Sequence, residues 1–302
     1  MRRGIRSLGM MCIVVVATLC SCASTVTSPV VLGPNGIDSL SLKNDVARFV
    51  QTNGPAWARD TDPFRDNPCD TMKDLINRYF KVDCNDDGRT DLVVNGTRII
   101  YVMIDKGDGS YSSFLVRRKT SSTRLLYVRE VVHRSPRTLI IVDNLSSACY
   151  LADSTPMATD TMVIVGGLLV DQSQSPSAQP ITSITMVAQG CYGFCPRYTI
   201  RIDAARSAFY TAKEYCDTTG DFTATLDARD ADPLFEAAHY INPASYPDQL
   251  WGGVSDVSEY QFTFVFKDGS TKTILTDAIS STSLTSIINY VETLRTTQQW
   301  KQ

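Results

Sequence analysis

The chain has 302 residues, 43% of them hydrophobic and 20% charged, with a formal net charge of −3 and only two histidines. That length allows more than one core. The mildly acidic balance argues against sequence-independent nucleic-acid binding, which needs clustered Lys and Arg. Basic residues do gather at Arg117, Arg118 and Lys119 and at Arg129, Arg134 and Arg137. They lie in or beside strand-like segments without interleaved exposed aromatics and read as a solvated face, so no nucleic-acid partner is expected.

Arg2, Arg3 and Arg6 precede an apolar run from Met10 to Cys20, broken only by Thr18. A positive flank, a short apolar stretch and a small-residue exit predict a removable signal over residues 1–21. The run is too short for a stable helix across a hydrocarbon layer of roughly 30 Å. Its end, Leu19-Cys20-Ser21-Cys22, resembles a bacterial lipobox. That resemblance implies lipidation of Cys22, a tether over residues 22–37 and a partner in the membrane itself. Ala23 and Ser24 place no aspartate after Cys22, which in lipoprotein sorting implies an outer-membrane protein facing the periplasm or the exterior. Removing residues 1–21 takes away three of the 29 basic residues and none of the 32 acidic ones, moving the formal charge from −3 to −6.

An oxidising compartment changes the reading of the cysteines. Beyond Cys22 there are Cys69, Cys84, Cys149, Cys191, Cys195 and Cys216. All six are disulfide candidates, and spacing alone leaves fifteen complete schemes open.

Asp171 to Pro180 reads DQSQSPSAQP, with no aromatic or large aliphatic residue and two prolines. This composition predicts a linker between an N-terminal domain at 38–170 and a C-terminal domain at 181–302. The expected fold class is α+β in two domains, each an antiparallel sheet packed with amphipathic helices. In the first, Leu42, Val46, Phe49 and Val50 share one helical face, and Met72, Leu75, Ile76, Tyr79 and Phe80 suggest a second helix behind Asp70. Strand-like runs follow at 91–94, 98–104, 113–118, 125–132, 138–142 and 161–165, with Lys106-Gly107-Asp108-Gly109 closing a hairpin.

Between the second helix and the first strand lies Asp83-Cys84-Asn85-Asp86-Asp87-Gly88-Arg89-Thr90-Asp91. Oxygen-bearing side chains at 83, 85 and 87, a glycine, the Arg89 carbonyl and Asp91 match the first nine positions of an EF-hand loop, a hard-oxygen set suited to Ca2+. Val94 stands where the complete motif has a bidentate glutamate. The segment resembles the Asp-x-Asn-x-Asp-Gly-x-x-Asp-Leu loops of integrin-type and dockerin-like modules. A Ca2+ site and a plain Asx/Gly turn both stay open, and a Cys69–Cys84 bridge would tether the loop.

The second domain opens with β-type runs at 181–187, 198–202 and 207–210. Tyr260, Phe262, Phe264 and Phe266 alternate along a later strand. Period two places all four on one face, which predicts a sheet core rather than a ligand platform. A turn at 267–270 leads into 271–275, an irregular helix is expected at 233–239, and Leu284, Ile287, Ile288, Val291 and Leu294 define an amphipathic terminal helix. Within this domain stands Gly190-Cys191-Tyr192-Gly193-Phe194-Cys195-Pro196-Arg197-Tyr198. Redox-active pairs are usually two residues apart at a helix N-terminus. Three residues and a following strand favour a structural disulfide or packed loop thiols, with metal ligation and redox chemistry as alternatives.

Ile184-Thr185-Met186, the segment CYGFCPRYTIRI, the aromatic strand with KDGS, the terminal helix and Trp300 together resemble the DUF6438 family over about residues 180–300. The family implies an exported domain but no particular chemistry. It commonly has a glycine-centred turn after this core; Asp203-Ala204-Ala205-Arg206-Ser207 has none, so a looser hairpin is expected. The first half similarly looks like N-terminal regions of exported Bacteroidetes-type proteins.

Neither His133 nor His239 has metal-ligand spacing or a nucleophile elbow nearby. Asp60, Asp62, Asp66 and Asp70 read as a solvated loop before a carboxylate pair, and Gly166-Gly167 and Gly252-Gly253 complete no nucleotide motif. Trp57, Tyr246 and Trp251 are candidate contact aromatics. The expected function is a non-enzymatic envelope lipoprotein that binds an envelope protein or glycan. The alternative is a hydrolase of an envelope polymer or glycan acting through N-terminal aspartates.

Overall fold

The structure, a computed structural model, describes residues 36–54, 78–96, 100–116, 124–146, 158–173, 175–251 and 256–302. Cys22, Trp57, Cys69, Cys149, the aspartates at 60, 62, 66 and 70, and Gly252-Gly253 lie outside the described residues. No described helix is long and apolar enough to cross a membrane.

The architecture is α+β, with antiparallel sheets and helices in both halves. Helix α1 (Lys43–Asn53) is followed by a meander of β1 (Arg78–Val82), β2 (Asp91–Asn95), β3 (Ile100–Asp105) and β4 (Tyr111–Val116). Both faces of this sheet are covered, so β2 and β3 are buried throughout. Leu92, Val94, Tyr101 and Met103 pack on Val46, Phe49 and Val50 of α1. Val93, Val102 and Ile104 face the opposite way, onto Val128, Ile140, Val142 and Ile164. The latter belong to a second meander of β5 (Arg124–Arg134), β6 (Arg137–Ser146), β7 (Ala158–Val165) and β8 (Leu168–Asp171).

One expectation is corrected in part: Tyr79 and Phe80, placed at the end of a second helix, lie in β1 opposite Val94 and Val93 of β2, while Met72, Leu75 and Ile76 lie outside the described residues. A short apolar run fits either period, and a waiting sheet edge decides between them.

The C-terminal sheet has seven strands in the order β12-β11-β10-β9-β14-β15-β13. They are β9 (Ile181–Gly190), β10 (Arg197–Asp203), β11 (Ser207–Glu214), β12 (Gly220–Thr225), β13 (Gln249–Leu250), β14 (Glu259–Phe266) and β15 (Thr271–Asp277). All pairs are antiparallel except the two-residue β13–β15 contact. Tyr260, Phe262, Phe264 and Phe266 are all buried, as their period requires. Helices α2 (Ala228–Ile241) and α3 (Thr282–Thr297) cover this face, with Ser281 capping α3 by accepting from the Leu284 amide at 3.3 Å.

The same apolar core includes Leu139, Ile141, Val163, Val165, Leu168 and Val170 from the second meander, so the halves share a core across the predicted linker. Gly166 turns β7 into β8 with φ of +57°, and a Cβ there would meet the Pro233 carbonyl oxygen of α2 at 2.6 Å. Asp171 accepts from the Ser283 hydroxyl at 2.9 Å, while its own amide donates to that hydroxyl at 2.8 Å. Within the linker segment Ser177 is buried, and its amide donates to the His239 carbonyl at 2.9 Å.

The hairpin after β10 is tight rather than loose. Arg206 takes a positive φ of 69° where glycine was expected, and its amide donates to the Asp203 carbonyl at 2.7 Å. The paired strands on either side fix the turn and override the side-chain preference.

Candidate functional site

In the acidic loop every carboxylate of the proposed ligand set is turned toward donors of its own chain. Asp83 accepts from the amides of Asp87 (3.2 Å) and Gly88 (2.7 Å). Asp87 accepts from the Arg89 amide at 2.9 Å, from Asn85 Nδ2 at 2.7 Å and from the Arg89 guanidinium. Asp91 is fully buried and accepts from the amides of Cys84 (2.8 Å) and Asp105 (2.9 Å), joining the loop to the end of β3. Burial pushes the Asp91 carboxyl up to about 7; the two amides oppose this, and Asp87 and Asp83 add to it. The Asn85 Oδ1 atom is enclosed and accepts no hydrogen bond among the described residues. Thr138 donates to the Asp83 carbonyl at 2.8 Å and His133 lies 3.3 Å from Asp86, so the β5–β6 hairpin braces the loop. No group of three or more His, Cys, Asp or Glu side chains among the described residues is arranged to hold a metal ion.

Cys84 is an unpaired thiol, not a bridge to Cys69. It is buried, and that burial followed by Asp91, Asp83 and Asp86 pushes its pKa well up, away from the reactive thiolate.

The C-terminal sheet gathers a different set of side chains at one end. The register pairs Gly190 with Glu259, Arg197 with Glu214 and Leu250 with Thr276. The β9–β10 loop, the β11–β12 turn, the exit of β13 and the entry to β14 therefore lie along the same end of the sheet. Cys191 and Cys195 are joined there by a disulfide with a Cα–Cα distance of 5.5 Å. The closed loop projects Tyr192 and Phe194, 94% and 86% exposed. Phe194 meets Tyr215 edge-on at 5.3 Å between centroids, and Tyr215 and Trp251 are themselves 54% and 49% exposed. The Arg197–Glu214 ion pair at 3.1 Å flanks these rings.

Of the candidate contact aromatics, Trp251 is half-exposed at the same end of the sheet but follows β13 on its far edge, with β9, β14 and β15 between β13 and β10. Tyr246 packs on the core beside Ser281 and Ser283, and burial raises its pKa. Cys216 is an unpaired thiol rather than a bridge partner, and it donates to the carbonyls of Arg197 and Glu214 at 3.4 Å each.

Beneath the rim lies a polar clasp that the sequence reading missed. Tyr198 is buried with its hydroxyl donating to Glu292 of α3, and Arg295 Nε donates to the same carboxylate at 2.8 Å. The Arg295 guanidinium also stands 5.3 Å from the centre of the Tyr198 ring. Burial, then Glu292, drives the Tyr198 pKa far up, so the phenol stays protonated. Burial works against the Arg295 charge, but Glu292, Tyr210 and Tyr198 together outweigh it and hold the guanidinium charged. Tyr210 lies tilted against Trp300 at 5.2 Å and edge-on to Tyr198 at 5.9 Å, and burial raises its pKa as well. A phenol, a carboxylate and a guanidinium that satisfy one another fasten α3 to the sheet; they leave no group poised for proton transfer. A groove of about 570 Å³ beside β12, lined in part by Phe209, Thr223, Asp230 and Lys301, is a further concavity, with Asp230 held by Gln298 at 3.0 Å.

The fold and this site define an α+β protein whose C-terminal sheet carries a disulfide-closed aromatic loop at one end. Residues 182–295 match the family described as a domain of unknown function, DUF6438. The C-terminal region is a DUF6438 domain, and the disulfide, rim and clasp lie inside it, apart from Trp300. No match was found among curated proteins or among solved structures.

Proposed function

We propose that this protein is a non-enzymatic envelope lipoprotein, anchored through Cys22, that binds another envelope protein through the aromatic rim of its DUF6438 domain. The observation that carries the reading is the near-complete exposure of Tyr192 and Phe194 on a covalently closed loop, with Phe194 against Tyr215. Rigid exposed aromatics ringed by an ion pair have the make-up of an interface anchor with a polar rim. A photo-crosslinking residue at position 192, with a control at the exposed Glu236 of α2, tests it in intact cells. A discrete protein adduct at 192 and none at 236 is expected. Adducts of equal yield at both positions, or a glycan in place of a protein, overturn it.

A second reading concerns Ca2+ at the 83–91 loop. It is supported by the enclosed Asn85 Oδ1, which accepts no hydrogen bond among the described residues. A thermal melt in EDTA and across a Ca2+ titration checks it: a dose-dependent rise that disappears in Asp83→Ala/Asp87→Ala supports the site, and a flat response leaves a turn.

A further inference from the structure

We infer that Cys191, Cys195 and Cys216 form a thiol–disulfide exchange site, in which the bridge passes between Cys191–Cys195 and Cys195–Cys216.

The contacts around the first β10–β11 pair carry the argument. That pair is Arg197 with Glu214, and a bulge between Arg197 and Tyr198 shifts the register beside it. Cys195 lies two residues before the pair on one segment and Cys216 two residues after it on the other.

Contacts on either side bring the two segments together. The residues just before the two cysteines, Phe194 and Tyr215, touch ring to ring at 5.3 Å. The Cys216 thiol donates at 3.4 Å to the carbonyl of Arg197, two residues beyond Cys195. Tyr215 takes a positive φ of 56°, which folds the chain back and turns Cys216 toward the start of β10. The Arg197–Glu214 ion pair at 3.1 Å pins the two segments together.

Access and neighbours also suit exchange. Cys191, Cys195 and Cys216 are each half-buried, whereas Cys84 is sealed in a core. The Cys216 thiol lies against the Tyr210 hydroxyl, which also meets the cationic Arg295 guanidinium.

The step balances without any added oxidant. Cys216 releases its proton to solvent, and its thiolate attacks Cys195 Sγ in line with the existing bridge. The Cys195–Cys216 bond forms as Cys191–Cys195 breaks, and the bonding pair leaves on Cys191, which takes up a proton. One disulfide and one thiol stand on each side of the equation. The consequence is local: the segment carrying Tyr192 loses its covalent closure, while Phe194 stays tied near Tyr215.

The test is disulfide mapping of the full-length protein, purified without reductant, held at pH 8 without added thiol, acid-quenched, alkylated and digested. Two populations are expected: Cys191–Cys195 with Cys216 alkylated, and Cys195–Cys216 with Cys191 alkylated. The variant Cys191→Ser, mildly oxidised, is expected to accumulate the Cys195–Cys216 peptide, and Cys216→Ser to lose it while keeping the wild-type circular dichroism spectrum. The inference is overturned if Cys216 is alkylated in every wild-type molecule, or joined to Cys69 or Cys149. It is also overturned if folded Cys191→Ser leaves both remaining thiols free after oxidation.

Discussion

In the loop at 83–91 the carboxylates of Asp83, Asp87 and Asp91 all accept hydrogen bonds from nearby amides. In the loop at 190–197 the side chains of Tyr192 and Phe194 stand in solvent while a disulfide closes the backbone beneath them. Both segments are dense runs of chemically capable residues around a glycine. The difference lies in what each loop uses to hold its own shape. An aspartate-rich turn spends its acceptors on its own amides. A covalent bridge frees the side chains it encloses for contact with something else.

Removing the Asp91 side chain breaks the inward loop most severely. Asp91→Ala leaves the buried amides of Cys84 and Asp105 without acceptors, at a cost of about 2 to 5 kcal/mol in chemical denaturation. A pH series on the same residue sharpens the point. Its folded pKa of about 7 lies above the unfolded carboxyl value of about 3.9. The stability this group contributes is therefore complete below about pH 4 and is lost as pH rises through about 7. Wild type is expected to lose stability relative to Asp91→Asn between pH 5 and pH 8; parallel curves would show that Asp91 is already ionised at the lower end.

Next comes the clasp under the rim. Tyr198→Phe removes a hydrogen bond to a charged acceptor and is expected to cost about 2 kcal/mol. Glu292 keeps Arg295 as a partner, so the loss should fall well short of that for Asp91→Ala.

Much of the scaffold was legible because periodicity reports burial. The alternation at 260–266 and the helical spacing at 284–294 recover β14 and α3. What failed has identifiable causes. Tyr79 and Phe80 continue a helical spacing, yet pairing with β2 overrides it. Cys84 sits in a loop rich in polar residues, and nothing local indicates that it is sealed against Val93 and Ile140. Glu292 and Arg295 are charged residues outside the apolar set that marks the terminal helix, and only the fold brings Tyr198 to them. Tyr192 and Phe194 lie in a stretch with no period at all, so their exposure could not be read; the glycine between the cysteines was the one hint of a projecting loop.

The bridge itself is a weaker fastening than Asp91. It closes a loop of only five residues, so replacing Cys191 and Cys195 by serine should lower stability by about 2 kcal/mol at most in the chain-entropy view. The C-terminal sheet is expected to stay folded, since its core residues are contributed by strands and helices away from the loop. A loss as large as that of Asp91→Ala would mean that the loop holds the sheet together, and the contrast between the two regions would fall.

Tyr192→Ala should change stability least, within about 0.5 kcal/mol, because a side chain 94% exposed has little packing to lose. For the same reason it separates folding from recognition. A melt that superimposes on wild type while partner crosslinking from a probe at the neighbouring Phe194 falls sharply would place the effect at an interface. A lowered melting temperature would instead show that the ring covers part of its own protein, and Phe194 and Tyr215, already in contact, would then read as a small apolar lid on the end of the sheet.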